Sequence, residues 1–334
     1  MPDLATELPT WDRTDVHRFR AMACQITVQL VGAEPEEAAD AFRTVEEIFR
    51  ETESSCTRFD PASPLMTANG APRRYHAVPS RCFDVILEAY DAYCVTGGLF
   101  DPRVLGSLES LGYDRSLAFD TGDVRIEVPA GTTTSDPVVH PWLPRFREAT
   151  GSVRLGPRRI DLGGIGKGLA VRWAMSALRS HGTAALVEAG GDLATRGSGP
   201  EGTGWRAAVE NPLVPGRAAH REPIAVIDAS DRAVATSSVR LRHWQVGGRE
   251  VHHLIDPATG RPAASRLAAV TVIHEDPAWA EVWTKSLFVA GAADIGALAE
   301  SHALAAIWVD SSGGISVSPA AGTRVIWQVS DAGS

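Results

Sequence analysis

A chain of 334 residues with 44% hydrophobic and 22% charged residues has the composition of a soluble globular protein, one large domain or two of ordinary size. Its net charge of -9 argues against nucleic acid as a partner, because phosphate-backbone binding needs clustered Lys and Arg. No apolar run approaches the length that spans a bilayer, so no membrane partner is expected. Residues 1–18 carry Asp3, Glu7, Asp12 and Asp15 without an apolar core, which reads as a loosely ordered tail rather than a secretory signal, and the expected location is cytoplasmic. Cys24, Cys56, Cys82 and Cys94 lack CxxC spacing and sit in apolar patterns, the mark of reduced, buried thiols.

Along the chain, Cys24, Ile26, Val28 and Leu30 alternate with polar residues and predict a half-buried strand. Glu34 to Glu53 predicts a helix with Pro35 in its first turn and Ala38, Phe42, Val45 and Phe49 on one face. A second helix is expected from Ser80 to Val95, ended by Gly97-Gly98. Residues 113–158 are rich in Gly, Pro, Thr and Asp and predict irregular strands and loops. A strand–turn–helix unit then spans Val153 to Leu178, and a short buried strand, Ala184 to Ala189, breaks at Gly190-Gly191. Further strands are expected at Trp205–Glu210, Ile224–Asp228, Ala233–Thr236, Leu267–Ile273, Ala303–Val309 and Thr323–Val329, with a helix from Pro277 to Val289 capped by Gly291. Helices and antiparallel-looking strands mix without a βαβ rhythm, so the fold class is α+β, one domain with two lobes.

Two segments carry chemistry. Ile160-Asp161-Leu162-Gly163-Gly164-Ile165-Gly166-Lys167-Gly168 sets four glycines and a lysine between an expected strand, Arg159 to Leu162, and a helix. Glycines allow close backbone approach to a ligand, and the unpaired N–H groups of a helix start favour an anion. The loop is neither a Walker A motif, which needs Gly where Asp161 stands and Ser or Thr where Gly168 stands, nor a dinucleotide fingerprint. A tight strand-to-helix turn with a solvated lysine is the bland alternative, weakened by a second glycine turn at Gly190-Gly191-Asp192. The other segment is His252-His253 followed by the Asp256-Pro257-Ala258-Thr259-Gly260 turn. Adjacent histidines on a strand point to opposite faces, so one can take a proton in a site. The opposite orientation argues against shared metal coordination, and a histidine bonded to a backbone carbonyl is the commoner fate.

These segments, in this order, resemble the ApbE family of FAD:protein FMN transferases from Phe19 to Val329. The similarity includes Arg20-Ala21-Met22, Thr57-Arg58-Phe59 with Ser63 and Asn69, and Gly97-Gly98-Leu99-Phe100-Asp101-Pro102. It continues through the Asp161–Gly168 loop, Gly190-Gly191-Asp192, Ala235-Thr236-Ser237, the His253–Pro262 turn and the helix with Ala280. The resemblance implies an ApbE-like, T-fold-related domain over residues 19–330 with a central FAD cleft. It implies that a Thr or Ser hydroxyl of an acceptor protein attacks the FAD pyrophosphate, keeps FMN as a phosphodiester and releases AMP. By position Met22, Phe59, Leu99, Phe100, Asp101, Asp161, Lys167 and Asp256 would contact FAD, and His253 would accept the proton.

The family's Mg²⁺ site would fall on the carbonyl of Gly164 and on side chains at 281 and 285, which here are Glu281 and Lys285. A protonated ammonium has no lone pair, so Lys285 cannot be a ligand, and Mg²⁺ wants hard oxygen donors. Three expectations follow: a surface i,i+4 pair, a lysine standing in for the metal's charge, or a metal kept at Glu281 with Thr284 or Asp256. Two other readings of the whole protein stay open, an FAD-binding protein with little catalysis and an FAD pyrophosphatase giving FMN and AMP.

Overall fold

The computed structural model describes residues 13–117, 125–126, 137–138, 140–214, 222–240 and 242–329. Its frame is an eight-stranded sheet of β1 (Thr14–Ala21), β2 (Cys24–Val31), β3 (Ala184–Ala189), β4 (Asp192–Arg196), β5 (Ala233–Ser238), β6 (Leu267–His274), β7 (Ala305–Asp310) and β8 (Ile315–Val317). These labels number the main sheet only; neighbours in space are neighbours in label, and every pair is antiparallel.

Period-two alternation decides which face each side chain serves. Ala233 and Ala235 join Ile26, Val28, Leu30 and Val187 under the helices α1 (Pro35–Cys56) and α5 (Gly166–Ala177). Between them, Val234 turns to the opposite face, where Ile273, Ile307 and a small sheet of Arg206–Val209, Ala225–Asp228 and Val325–Gln328 close a second core. The second lobe packs α2 (Pro64–Gly70), α3 (Ser80–Val95) and the segment around Trp142, Leu155 and Ile160. The start of α6 (Pro277–Ala290) contributes Ala278 and Val282 to this lobe and Ala280 to the sheet core, so α6 joins the lobes.

Local chemistry explains the helix starts. Pro35 opens α1 with Glu36 and Glu37 in its first turn, Ser63 Oγ caps α2 through Met66 N–H at 3.1 Å, and Asp276 caps α6 through Ala278 N–H at 2.8 Å. Helices α5 and α6 approach so closely that a Cβ on Gly168 would lie 2.5 Å from the Pro277 carbonyl oxygen.

Several expectations need correction. Residues 14–18, assigned to a loose tail, form the first half of β1, whose alternating residues pair with β2 from Thr14↔Val31 to Ala21↔Cys24. Residues 159–162, expected as a strand, join no sheet. The Asn69 side-chain amide takes the place of a neighbouring strand, donating to Ile160 O and accepting from Ile160 N–H, both at 2.9 Å. Cys56 and Cys82 are buried as expected, whereas Cys24 is half-buried and Cys94 is exposed; all four are free thiols. The expected irregular stretch 113–158 lies partly outside the described residues.

Gly168→Ala is expected to lower stability by about 1–3 kcal/mol, because the added methyl meets backbone that cannot move aside. Urea unfolding of the purified variant checks this.

Candidate functional site

The site forms where the ends of β1–β5 meet the starts of α5 and α6. The hairpin turn between β1 and β2 holds Met22 and Ala23 at φ 52° and 60°, a left-handed conformation that costs non-glycine residues roughly 1–2 kcal/mol each. The strained turn sets the Met22 Cε 3.4 Å from where a Cβ of Gly166 would be, against the glycine-rich loop. Phe100 and Lys285 press on the same loop from other sides. A Cβ on Gly164 would lie 3.0 Å from the Phe100 ring and 3.4 Å from Lys285 Cδ, so a larger residue would push these side chains off the loop.

An ion cluster sits behind this loop. Lys167 Nζ bonds Asp192 Oδ2 and reaches Glu281 Oε1 at 3.0 Å. Lys285 Nζ shares the same Glu281 oxygen at 3.2 Å and the Glu281 carbonyl at 3.3 Å. The other carboxylate oxygen, Oε2, accepts from Gly168 N–H at 2.8 Å. Asp192 is fixed in turn by Thr236 N–H, 3.1 Å from Oδ1. Burial alone would raise the Glu281 pKa, but Lys167, Lys285 and the Gly168 amide outweigh it and hold it at about 2. Burial lowers the Lys285 pKa, with Lys167 adding to the effect and Glu281 opposing it incompletely.

His253 follows the Arg249–His252 strand, in reach of this charge. Its Nδ1 lies 3.3 Å from the Arg242 carbonyl, and since a carbonyl only accepts, Nδ1 carries the proton and Nε2 keeps its lone pair. Burial, reinforced by Arg242, Lys285 and His252, pushes the His253 pKa well below the ordinary 6.5, so the ring is neutral. His252 turns away as expected for its neighbour and packs edge-on against Phe288, with ring centroids 5.8 Å apart.

The remaining residues singled out in the sequence divide into two groups. Asp161 bonds Arg58 Nε at 2.6 Å and Gly163 N–H at 2.5 Å, and the Arg58 guanidinium covers the Phe59 ring at 4.3 Å and the Tyr113 ring at 4.2 Å. This links Asp161 to half-exposed Phe59 across the mouth of the glycine loop. Asp101 and Asp256 are instead committed locally. Asp101 makes a buried two-point pair with Arg103, at 3.0 and 2.7 Å, and Asp256 accepts from Ala258 N–H at 2.9 Å within its own turn. Leu99 is half-buried beside Phe100 and donates its N–H to Thr96 O at 3.2 Å.

Sequence reasoning missed Asp192 as the partner of Lys167, Arg58 as the partner of Asp161, and Arg242 beside His253. Gly190-Gly191-Asp192 was legible as a motif, but its pairing runs 25 residues back in the chain. Arg242 carried no signal beyond its charge.

The donor set does not fit Mg²⁺. Glu281 is the one carboxylate at the implied position, and both its oxygens are occupied by two ammonium groups and an amide. Thr284, the alternative ligand, is buried with its hydroxyl 2.7 Å from Ser237 Oγ and 2.8 Å from the Glu281 carbonyl. Asp256 is held in its turn. Among the described residues no cluster of three or more His, Cys, Asp or Glu side chains could hold a metal ion.

An antiparallel sheet whose end carries a glycine-rich loop, a buried cation cluster and a neutral histidine brings together groups that can hold an anion and accept a proton. The chain belongs to the ApbE family, whose sequence profile matches residues 22–308. A Salmonella typhimurium FAD:protein FMN transferase is 33% identical over 133 residues, 40% of this chain and 37% of that protein. A Klebsiella pneumoniae protein of the same name is 28% identical over 69% of each chain. The chain thus spans well under half the length of the first relatives it matches. In fold, the flavin transferase ApbE from Vibrio cholerae superposes with a TM-score of 0.75 at 23% identity, covering 94% of this chain and 99% of that one. The ApbE protein from Thermotoga maritima superposes at 0.73 and 24% identity, covering 92% and 97%. No helix among the described residues is long and apolar enough to cross a membrane.

The depressed Glu281 pKa sets an acid dependence. Its stabilising contribution is complete above the ordinary 4.5 and is lost as pH falls toward about 2. Glu281→Gln is expected to be less stable than the parent near neutral pH, with the difference shrinking across that acid window in denaturant titrations.

Proposed function

We propose that this protein is an FAD:protein FMN transferase that acts on a Thr or Ser hydroxyl of an acceptor protein. The observation that carries this is a neutral His253, its Nε2 lone pair free for a proton, beside a glycine loop backed by Lys167 and Lys285. Family membership supports FAD as the donor.

In this reading the glycine loop and its cations hold the FAD diphosphate, while Met22, Phe100 and the Phe59–Arg58 pair line the path of the flavin nucleotide. Asp161 keeps Arg58 in place. Leu99 adds apolar surface, and Asp101 and Asp256 act by shaping the walls that carry Phe100 and the histidine turn. His253 Nε2 takes the acceptor's hydroxyl proton as that oxygen bonds to the FMN phosphorus. The bond from that phosphorus to the bridging oxygen breaks, and AMP leaves with the oxygen. Fixed positive charge and backbone amides stabilise the charge that builds on the phosphoryl oxygens.

Incubation with FAD and a Thr-bearing acceptor tests the reading by in-gel flavin fluorescence and AMP release. Fluorescent acceptor with equimolar AMP supports it. AMP without label would mean water is the acceptor, and bound FAD with neither product would mean a binding protein.

His253→Ala is expected to keep FAD affinity and lower transfer by about 10²-fold or more, measured in single turnovers. Because His253 is already neutral, transfer should stay level as pH drops through 6.5 and fail only well below it. A rate that halves near the ordinary histidine value would remove that assignment.

A further inference from the structure

The implied metal position is filled by protein cations, and the two lysines there are unequally paired. Lys167, Lys285 and Arg242 bring three positive charges, met by Asp192, Glu281 and Glu188, and His253 is neutral. Lys167 is well matched, with two carboxylates of its own. Lys285 has only a share of one Glu281 oxygen and a main-chain carbonyl. Its aliphatic stem lies along Gly164, which places the ammonium end beside the glycine loop rather than out in solvent. For Arg242, among the described residues, no carboxylate lies within ion-pair distance of the guanidinium. Its main-chain carbonyl lies 3.3 Å from His253 Nδ1, which sets the residue beside the histidine end of the cleft. An ammonium has three protons to donate, and Lys285 has two acceptors among the described residues, so an anion at the loop would complete the set. A divalent cation there would face an ammonium with no lone pair to offer, whereas a diphosphate oxygen would accept the remaining proton.

We propose that Lys285 and Arg242 are diphosphate-binding residues, fixed side-chain cations that hold the nucleotide in this cleft without a divalent metal ion. The inference rests on the flavin nucleotide reading for the identity of the ligand, while the same side chains would serve any diphosphate. Lys285 reaches the loop side of the diphosphate, and Arg242 reaches the side next to His253. The ammonium stands where a metal would otherwise neutralise the leaving phosphate, so the leaving group's charge is met by a group that chelators cannot remove.

Calorimetric titration of the full chain with inorganic pyrophosphate, FAD and riboflavin, in EDTA and then in MgCl₂, tests this. Pyrophosphate and FAD should bind in EDTA, with affinities that change less than about two-fold on adding Mg²⁺. Lys285→Gln and Arg242→Gln should each weaken both ligands by about ten-fold or more and leave riboflavin, which has no phosphate, unchanged. Lys285→Arg keeps the charge and should retain most of the affinity. Pyrophosphate or FAD binding that requires Mg²⁺ would overturn the proposal, as would Gln variants that bind like the parent. If a Gln variant fails to fold, the EDTA comparison on the parent chain still decides. Metal-free diphosphate binding without acceptor labelling would defeat the transferase reading and leave this one standing; labelling that stops in EDTA would do the reverse.

Discussion

Glu281 is the group on which the site's architecture turns. Its carboxylate is almost fully buried, and each oxygen holds a different part of the molecule: one gathers two lysines, the other the first turn of α5. Such a charge is tolerable inside a protein only when every lone pair has a partner, and here the partners come from two helices. Through Lys167 and Asp192 the same network reaches the backbone of β5 at Thr236. The glycine loop is therefore stretched over a foundation that is already in place, and its amides need not reorganise when an anion arrives.

The positive field has a second effect on the histidine. Lys285 and Arg242 oppose protonation of His253, and burial opposes it further. An imidazole that must accept a proton is best kept unprotonated beforehand, and the cations that would attract a diphosphate also do that. The carbonyl of Arg242 fixes which nitrogen keeps the lone pair, so one residue sets both the field and the tautomer through different atoms.

Much of this was legible in the sequence, and what was not has identifiable causes. Alternation exposed β2, short apolar runs exposed β3, β5 and β6, and helical spacing with Pro35, Pro277 and Gly291 exposed α1 and α6 to within a few residues. β1 escaped because its exposed positions include Val16 while its inward ones include Asp15 and His17, so the run TDVHRFRA shows no apolar alternation. The His243–Val246 strand that pairs with the histidine strand, and the short α2, escaped for want of a long periodic window. At the site, glycines, histidines and the Glu281–Lys285 spacing stood out because their residue types are chemically specific. The Asp161–Arg58 pair, and Asn69 standing in for a strand beside Ile160, depend on contacts about 90 to 100 residues apart in the chain, which periodicity cannot register.

The order of the main sheet has a consequence for how the chain assembles. β2 must find β3 across about 150 residues, from Val31↔Ala184 to Ile26↔Ala189, while most other neighbours in the sheet are joined by shorter connections. Closing a loop of that length costs on the order of 4 kcal/mol in chain entropy before any ladder bond compensates. The intervening segment folds into a lobe of its own around Leu65, Ile86 and Trp142, which shortens the effective distance. Nucleation within that lobe, followed by zipping of β2 onto β3, would make this junction a late and slow event, as expected for non-local strand pairing.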